Sequence, residues 1–278
     1  MGLSRLAYKR ADRSSSMSAF ARLAICAALT LATALPARGE IPTDPTELAE
    51  AYFDETERFD ALTTYESRRG PLHLLFSLSR RWRDGLAELL FDVREPQAYG
   101  HFALLARQTR AGSDDLFAYL GEYTDRKVRR LSAPDLEREA IFNLFALGDF
   151  RPFALGELRY EAAPDASVAG TPCRVVVGWP TTGDTLGFDR IEFAFAADTG
   201  LLLESRFFRG QREFRRITIA PEDYAEHDGR RLPMRRTAHS WGDAGQTELV
   251  MKSVLPTPDL PDELFSHRNL LVQRFPEF

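Results

Sequence analysis

Alternation of apolar and polar positions dominates the chain beyond residue 71. From Leu72 to Trp82 one side reads Leu72, Leu74, Phe76, Leu78, Arg80 and Trp82, and the other His73, Leu75, Ser77, Ser79, Arg81 and Arg83. A period of two is what a half-buried strand requires. Asp84-Gly85 then turns the chain, and Leu89, Phe91 and Val93 oppose Glu88, Asp92 and Arg94 until Glu95-Pro96 ends the run. Residues 102–109 and 115–123 follow as strands, separated by Ala111-Gly112-Ser113. The rhythm returns in residues 157–162, 171–179, 188–197, 201–209, 211–219, 231–240 and 246–255. Ile191, Phe193 and Phe195 alternate with Arg190 and Glu192, and Leu201, Leu203, Ser205 and Phe207 alternate with Leu202, Glu204 and Arg206. The turns between them, among them Asp198-Thr199-Gly200, Arg209-Gly210 and Asp228-Gly229, are short and carry glycine, as antiparallel hairpins require. About eleven strands predict a mainly β, α+β fold built on a large curved sheet or an incomplete antiparallel β-barrel.

Two segments depart from this period. Residues 44–62 place Leu48, Ala51, Tyr52, Phe59 and Leu62 at roughly helical spacing on an acidic background, with Asp44 and Thr46 as N-cap candidates. Residues 132–153 open on Ser132-Ala133-Pro134-Asp135, a capped helical start, and continue through Ile141, Phe142, Leu144, Phe145, Leu147, Phe150 and Phe153 around Gly148-Asp149. A short segment that is apolar on more than one side is either a plug in the core or a lid over a cavity.

Ahead of all this, residues 23–36 form an uncharged apolar run preceded by Lys9, Arg10, Arg13 and Arg22 and followed by Pro36-Ala37-Arg38-Gly39. A basic flank, a short apolar run and a small-residue exit describe a secretory signal peptide, and the run falls short of the roughly 20 residues a bilayer span needs. Residues 1–39 are therefore expected to be cleaved near Gly39, leaving 40–278 as a single exported domain, with Met17 as an alternative start. Cys26 sits in mid-run behind bulky Ile25, which disfavours a lipoprotein anchor; an N-terminal core helix is the other alternative.

Cleavage changes the charge. The leader holds Arg5, Lys9, Arg10, Arg13, Arg22 and Arg38 against Asp12, so the formal net charge moves from −5 to −10. An acidic domain argues against nucleic acid or an anionic membrane surface as the main partner. Cys173 is the only cysteine left, which precludes an internal disulfide, and its neighbours Val175, Val176 and Val177 mark it as a buried apolar residue.

No Gly-x-Ser-x-Gly elbow, zinc helix, phosphate-binding glycine loop or Cys pair occurs in the chain. His73, His101, His227, His239 and His267 are scattered, each without a neighbour at metal-ligand spacing. Asp114-Asp115 and Glu222-Asp223 read as solvated turns. Arg80, Arg81 and Arg83 with Arg129 and Arg130 read either as a wet outer face or as a contact for a phosphate headgroup at a cavity mouth. An integral outer-membrane barrel ending on Phe278 is disfavoured by Arg274, Pro276 and the charges on outward faces.

The second half resembles the LolA-like group of periplasmic lipoprotein-sorting and lipid-carrier proteins. The resemblance is carried by Gly170-Thr-Pro-Cys-Arg-Val-Val-Val, by Arg190-Ile-Glu-Phe-Ala-Phe-Ala-Ala-Asp-Thr-Gly-Leu-Leu-Leu-Glu-Ser-Arg-Phe-Phe, and by Gly229-Arg-Arg-Leu-Pro-Met, Gln246-Thr-Glu-Leu-Val-Met and Glu263-Leu-Phe. Relatives often carry Gly-Ser-Asp-Phe where this chain has Gly148-Asp149-Phe150, so any role of that serine is lost. The resemblance implies an open half-barrel, lidded by short helices, whose apolar cavity holds acyl chains. Its lining would be Leu74, Phe76, Leu78, Phe91, Phe193, Phe195 and Phe207, under a lid containing Phe142, Phe145 and Phe150; the plainer alternative is that all ten are ordinary core. It further implies a monomeric periplasmic carrier, neither an enzyme nor dependent on a cofactor, that takes lipid or lipoprotein acyl chains from an inner-membrane donor transporter to an outer-membrane acceptor. Two rival functions stay open: a non-transporting envelope scaffold that binds protein through its sheet edge, and a lipid hydrolase with a Ser or Asp and a base inside the cavity.

Overall fold

A computed structural model describes residues 40–96, 102–110, 114–121, 127–132, 145–182, 186–240, 245–256, 259–272 and 275. Helix α1 (Pro45–Thr56) begins where Asp44 accepts hydrogen bonds from the backbone N–H groups of Thr46 (2.9 Å) and Glu47 (3.0 Å), with Pro45 in the first turn. Leu48, Ala49, Tyr52, Phe53 and Thr56 form its buried stripe. The sequence pattern extended this helix to residue 62, and the structure shortens it. The N–H groups of Glu57 and Arg58 both donate to Phe53 O, which closes the last turn, and Leu62 belongs to a strand.

Among the described residues there are fifteen strands, four more than the alternation predicted. They are β1 (Ala61–Arg69), β2 (Leu72–Arg83), β3 (Leu86–Glu95), β4 (Phe102–Arg107), β5 (Asp115–Leu120), β6 (Val128–Leu131), β7 (Leu158–Val168), β8 (Thr171–Pro180), β9 (Arg190–Ala196), β10 (Leu202–Arg209), β11 (Arg212–Thr218), β12 (Tyr224–His227), β13 (Arg230–Pro233), β14 (Arg235–Ser240) and β15 (Gln246–Pro256). The predicted strand over 231–240 divides at Pro233, which has no N–H to continue a ladder. Thirteen strands make one sheet in the order β6-β5-β4-β3-β2-β1-β15-β14-β11-β10-β9-β8-β7, and β12–β13 stand apart as a hairpin against α1. The pairings are antiparallel and the sheet is open, not closed into a barrel. Its first and last strands, β1 and β15, pair in the middle, so its edges are the sequence neighbours β6 and β7.

Cross-strand register places Tyr65, Phe76 and Val93 in one row, and Leu78, Phe91, Leu104 and Ala118 in the next. A row on the other half holds Val176, Phe193, Ser205 and Ile217. These rows form the concave face, and α1 packs against it through Tyr52 and Phe53. A β-bulge breaks the register between Leu202 and Glu204. Leu201 and Leu203 therefore join Cys173 and Val175 in a cluster on the convex side, while Leu202 and Phe207 face inward; strict alternation had grouped Leu201 and Leu203 with Phe207. Cys173 is buried in that convex cluster, as its apolar neighbours predicted.

Strand β2 is covered on both faces, and this changes the reading of its arginines. A C-terminal segment, including helix α2 (His267–Val272), lays Leu260, Leu264, Phe265 and Leu270 on Leu62, Leu90, Leu105 and Tyr119. Arg81 fixes it by donating to Leu260 O (3.1 Å), by pairing with Asp262 and Glu88, and by stacking over Phe265 at 4.6 Å. Arg80 turns inward, donating to Phe59 O (3.1 Å) with its guanidinium over the Phe59 ring. Both arginines are buried and form neither the wet outer face nor the headgroup contact expected of them, whereas Arg83 is exposed. Among the described residues no helix is long and apolar enough to cross a membrane.

Candidate functional site

The seven residues predicted to line a cavity, Leu74, Phe76, Leu78, Phe91, Phe193, Phe195 and Phe207, all lie in the concave-face core and all are buried. They form two patches. Phe76 and Phe91 lie 6.3 Å apart on the β1–β3 half, and Phe193 and Phe195 lie 6.1 Å apart on β9.

Over these patches runs the chain that follows β6. Phe150 stands edge-on to Tyr65, Phe76 and Phe91 at 5.6, 5.4 and 5.5 Å, with Phe145 beside it. Phe153 meets Phe53, Phe188 and Phe193 at 5.4, 6.3 and 6.2 Å. Residues 145–153 thus form a strap that inserts rings into both patches. Phe145 and Phe150 are buried in this core, and Phe142 lies outside the described residues. What remains open is a cavity of about 60 Å³, lined by Tyr52, Phe53, Phe153, Phe193, Leu202 and Phe207 among others. It has room for a few waters and is well below the roughly 300 Å³ of a small-ligand pocket.

Charge anchors the strap. Asp149 meets Arg215 at 2.8 Å, with both side chains 1% exposed, and its other oxygen accepts from the Ala146 N–H at 2.7 Å. Arg58 donates to Phe153 O, Gln108 to Pro152 O, and Arg151 pairs with Asp114 and Glu157. Arg215 also lies over the Phe207 ring at 4.3 Å. Glu57 and Arg236 complete the charged lining of the cavity. Burial pushes the Glu57 carboxyl up from its ordinary range against the opposing pull of Arg236, and it pushes Tyr52, whose hydroxyl lies 3.2 Å from that of Tyr224, up to about 12.

Sequence reasoning missed Tyr52, Phe53, Glu57, Arg215 and Arg236 as parts of this site. A signal for Arg215 exists: it precedes Ile217 and Ile219 at a spacing of two, a cation on the apolar side of a strand. Asp149 was visible only as a piece of the Gly148-Asp149-Phe150 motif. Ser205 lines the cavity as well. Asp115 makes an ion pair with Arg130 on an exposed edge, and Asp223 faces Arg235. His73 reaches Glu66 at the surface, and among the described residues no group of three or more His, Cys, Asp or Glu converges to hold a metal.

A family model described as an uncharacterized protein matches residues 85–271, more than half of the chain. The chain belongs to that family. Among solved structures, a domain assigned to outer-membrane lipoprotein sorting in Vibrio parahaemolyticus superposes with a TM-score of 0.71 at 19% identity, covering 81% of this chain and 97% of its own. A DUF1329 family protein from Desulfovibrio piger gives 0.71 at 17% identity, with the same coverages of 81% and 97%. A LolA superfamily protein from Nitrosomonas europaea gives 0.65 at 12% identity over 81% of this chain and 98% of its own. The fold is LolA-like. No curated protein matches the chain in sequence.

Proposed function

We propose that this protein is an exported, non-enzymatic carrier that binds the acyl or other apolar part of a lipid or lipoprotein on its concave face and hands it between envelope membranes. The observation that carries the reading is the aromatic concave face, roofed by a single strap instead of by a closed barrel. The lipoprotein-sorting role assigned to the Vibrio domain of the same fold supports it.

The plugged cavity sets an energetic condition that acyl burial can meet. Re-exposing Phe145, Phe150 and Phe153 costs about 1.5–3 kcal/mol each, or about 5–9 kcal/mol in all. Covering a chain of about sixteen carbons returns ~0.8 kcal/mol per CH₂, about 13 kcal/mol. Burial of one acyl chain is therefore large enough to offset re-exposure of the strap's rings, whereas a ligand of a few carbons cannot offset it. In this reading residues 1–39 are the export signal, removed near Gly39, and residues 40–278 act in the periplasm as a monomer between an inner-membrane donor and an outer-membrane acceptor.

The test is native mass spectrometry with lipid extraction on protein isolated from the periplasm without detergent. About one intact lipid per chain, lost in Phe193→Asp, supports the carrier. A cleaved lipid turns the reading toward a hydrolase. Protein that comes out empty and takes up no envelope lipid overturns the carrier and leaves a scaffold.

A further inference from the structure

The cavity contains more charge than an acyl chain can use. Glu57, Asp149, Arg215 and Arg236 all line it, among aromatic rings that would suit hydrocarbon alone. Buried charges cost several kcal/mol each unless they are paired and hydrogen-bonded. Asp149 pairs with Arg215 at 2.8 Å. The Nε of Arg236 is buried with no hydrogen-bond partner among the described residues. Glu57 acts on it through space.

Strand register puts the two cations on one face, and both line the cavity. Arg215 on β11 stands opposite Ser240 on β14, and Arg236 lies four residues back along β14 on the same concave side as Ala238. Asp149 feels both guanidiniums. It also belongs to the strap, so whatever replaces its carboxylate at Arg215 detaches the strap at that anchor.

We propose that Arg215 and Arg236 form a recognition site for the anionic head, carboxylate or phosphate, of a lipid whose chain follows into the cavity, with Asp149 as the internal stand-in for that head. This rests on the carrier reading and specifies which lipids it serves. The incoming anion takes over the charge that Asp149 supplies to Arg215, gives Arg236 an acceptor, and releases the strap, whose rings then yield to the chain. The open volume of about 60 Å³ suits a head group and not a chain, so head recognition comes first. A neutral head cannot replace Asp149, and the site discriminates against it by leaving a buried cation unsatisfied.

The experiment measures dissociation constants of delipidated protein for dodecanoate, dodecyl phosphate and dodecanol, which share one chain length. Both anions are expected to bind at least about tenfold more tightly than the alcohol, the order of one charge-assisted hydrogen bond. The tighter of the two anions identifies the head class. Arg236→Gln should reduce the preference of the anions over dodecanol, and Asp149→Asn should tighten the anions, because their competitor is gone. Equal binding of alcohol and anions, unchanged in both variants, overturns the anion site while leaving the carrier intact. Failure of all three probes to bind overturns the carrier itself, and the site with it.

Discussion

The Asp149–Arg215 pair makes a quantitative prediction about how the strap is held. Both side chains are 1% exposed and the contact is 2.8 Å, so removing either partner leaves a charge buried in an aromatic cavity. Breaking such a pair costs about 3–5 kcal/mol, whereas replacing both partners with neutral residues of similar size is close to neutral. Arg215→Met and Asp149→Asn are therefore each expected to destabilise the fold by about 3–5 kcal/mol, and the double variant by much less than their sum. For a domain of this size that corresponds to a fall in Tm of roughly 6–20 °C for each single variant. Arg236 lies near Asp149 and offsets part of the loss in Arg215→Met, which places that variant at the lower end. Urea denaturation of the four proteins closes the cycle. Single variants that each lose under about 1 kcal/mol, or a double variant that loses the full sum, would show that the pair does not hold the strap.

Three further outcomes are expected. Glu57 has its folded pKa raised by burial, so its contribution to stability is fully present below the unfolded value of about 4.3 and is lost as pH rises through the folded value; Glu57→Gln should flatten the decline in denaturation midpoint measured between pH 5 and pH 8. Phe193→Asp places an unpaired carboxylate at a position 2% exposed, and thermal scans should show a loss of about 3 kcal/mol or more, with bound lipid absent by mass spectrometry. Gly178→Ala puts a Cβ 3.1 Å from side-chain atoms of Ile191 and Leu158 and 3.3 Å from Phe193, and overpacking of about 1–3 kcal/mol should appear as a lower urea midpoint; an unchanged midpoint would show that β7, β8 and β9 pack more loosely than the register implies.

Most of the sheet was legible because strand pairing imposes a period of two and its hairpins need glycine. The burial of Phe76, Phe91, Phe193 and Phe195 in one core followed from the same period, but of the seven residues expected to line a cavity only Phe193 and Phe207 border the one that remains. The errors have local causes. Leu62 sits at a helical distance from Phe59, yet the chain turns at Glu57-Arg58, and only the double acceptance by Phe53 O reveals that. A bulge at Leu202–Glu204 moves Leu201 and Leu203 to the convex face, and no pattern of single residues encodes it. Arg80 and Arg81 read as solvent-facing because their carbonyl partners, Phe59 and Leu260, lie 21 and 179 residues away. The polar half of the site was hidden for the same reason: Asp149 and Arg215 meet only after the sheet curves and the strap crosses it.

Topology itself favours internal binding over edge pairing. Because β1 and β15 meet in the middle of the sheet, the edges are β6 and β7, and residues 132–157 have to connect them. Of that connection, residues 145–153 lie across the concave face and carry Phe145, Phe150 and Phe153 there. Both edges are meanwhile poor templates for another strand. Strand β6 is four residues long and carries Arg129 and Arg130, while β7 carries Arg159, Glu161 and Asp165 beside Pro164. Charges, short length and proline are the means by which edges resist pairing. A scaffold that bound protein by strand addition would keep one edge long, flat and apolar; this chain protects both edges and concentrates its aromatic surface behind a strap held at Arg215.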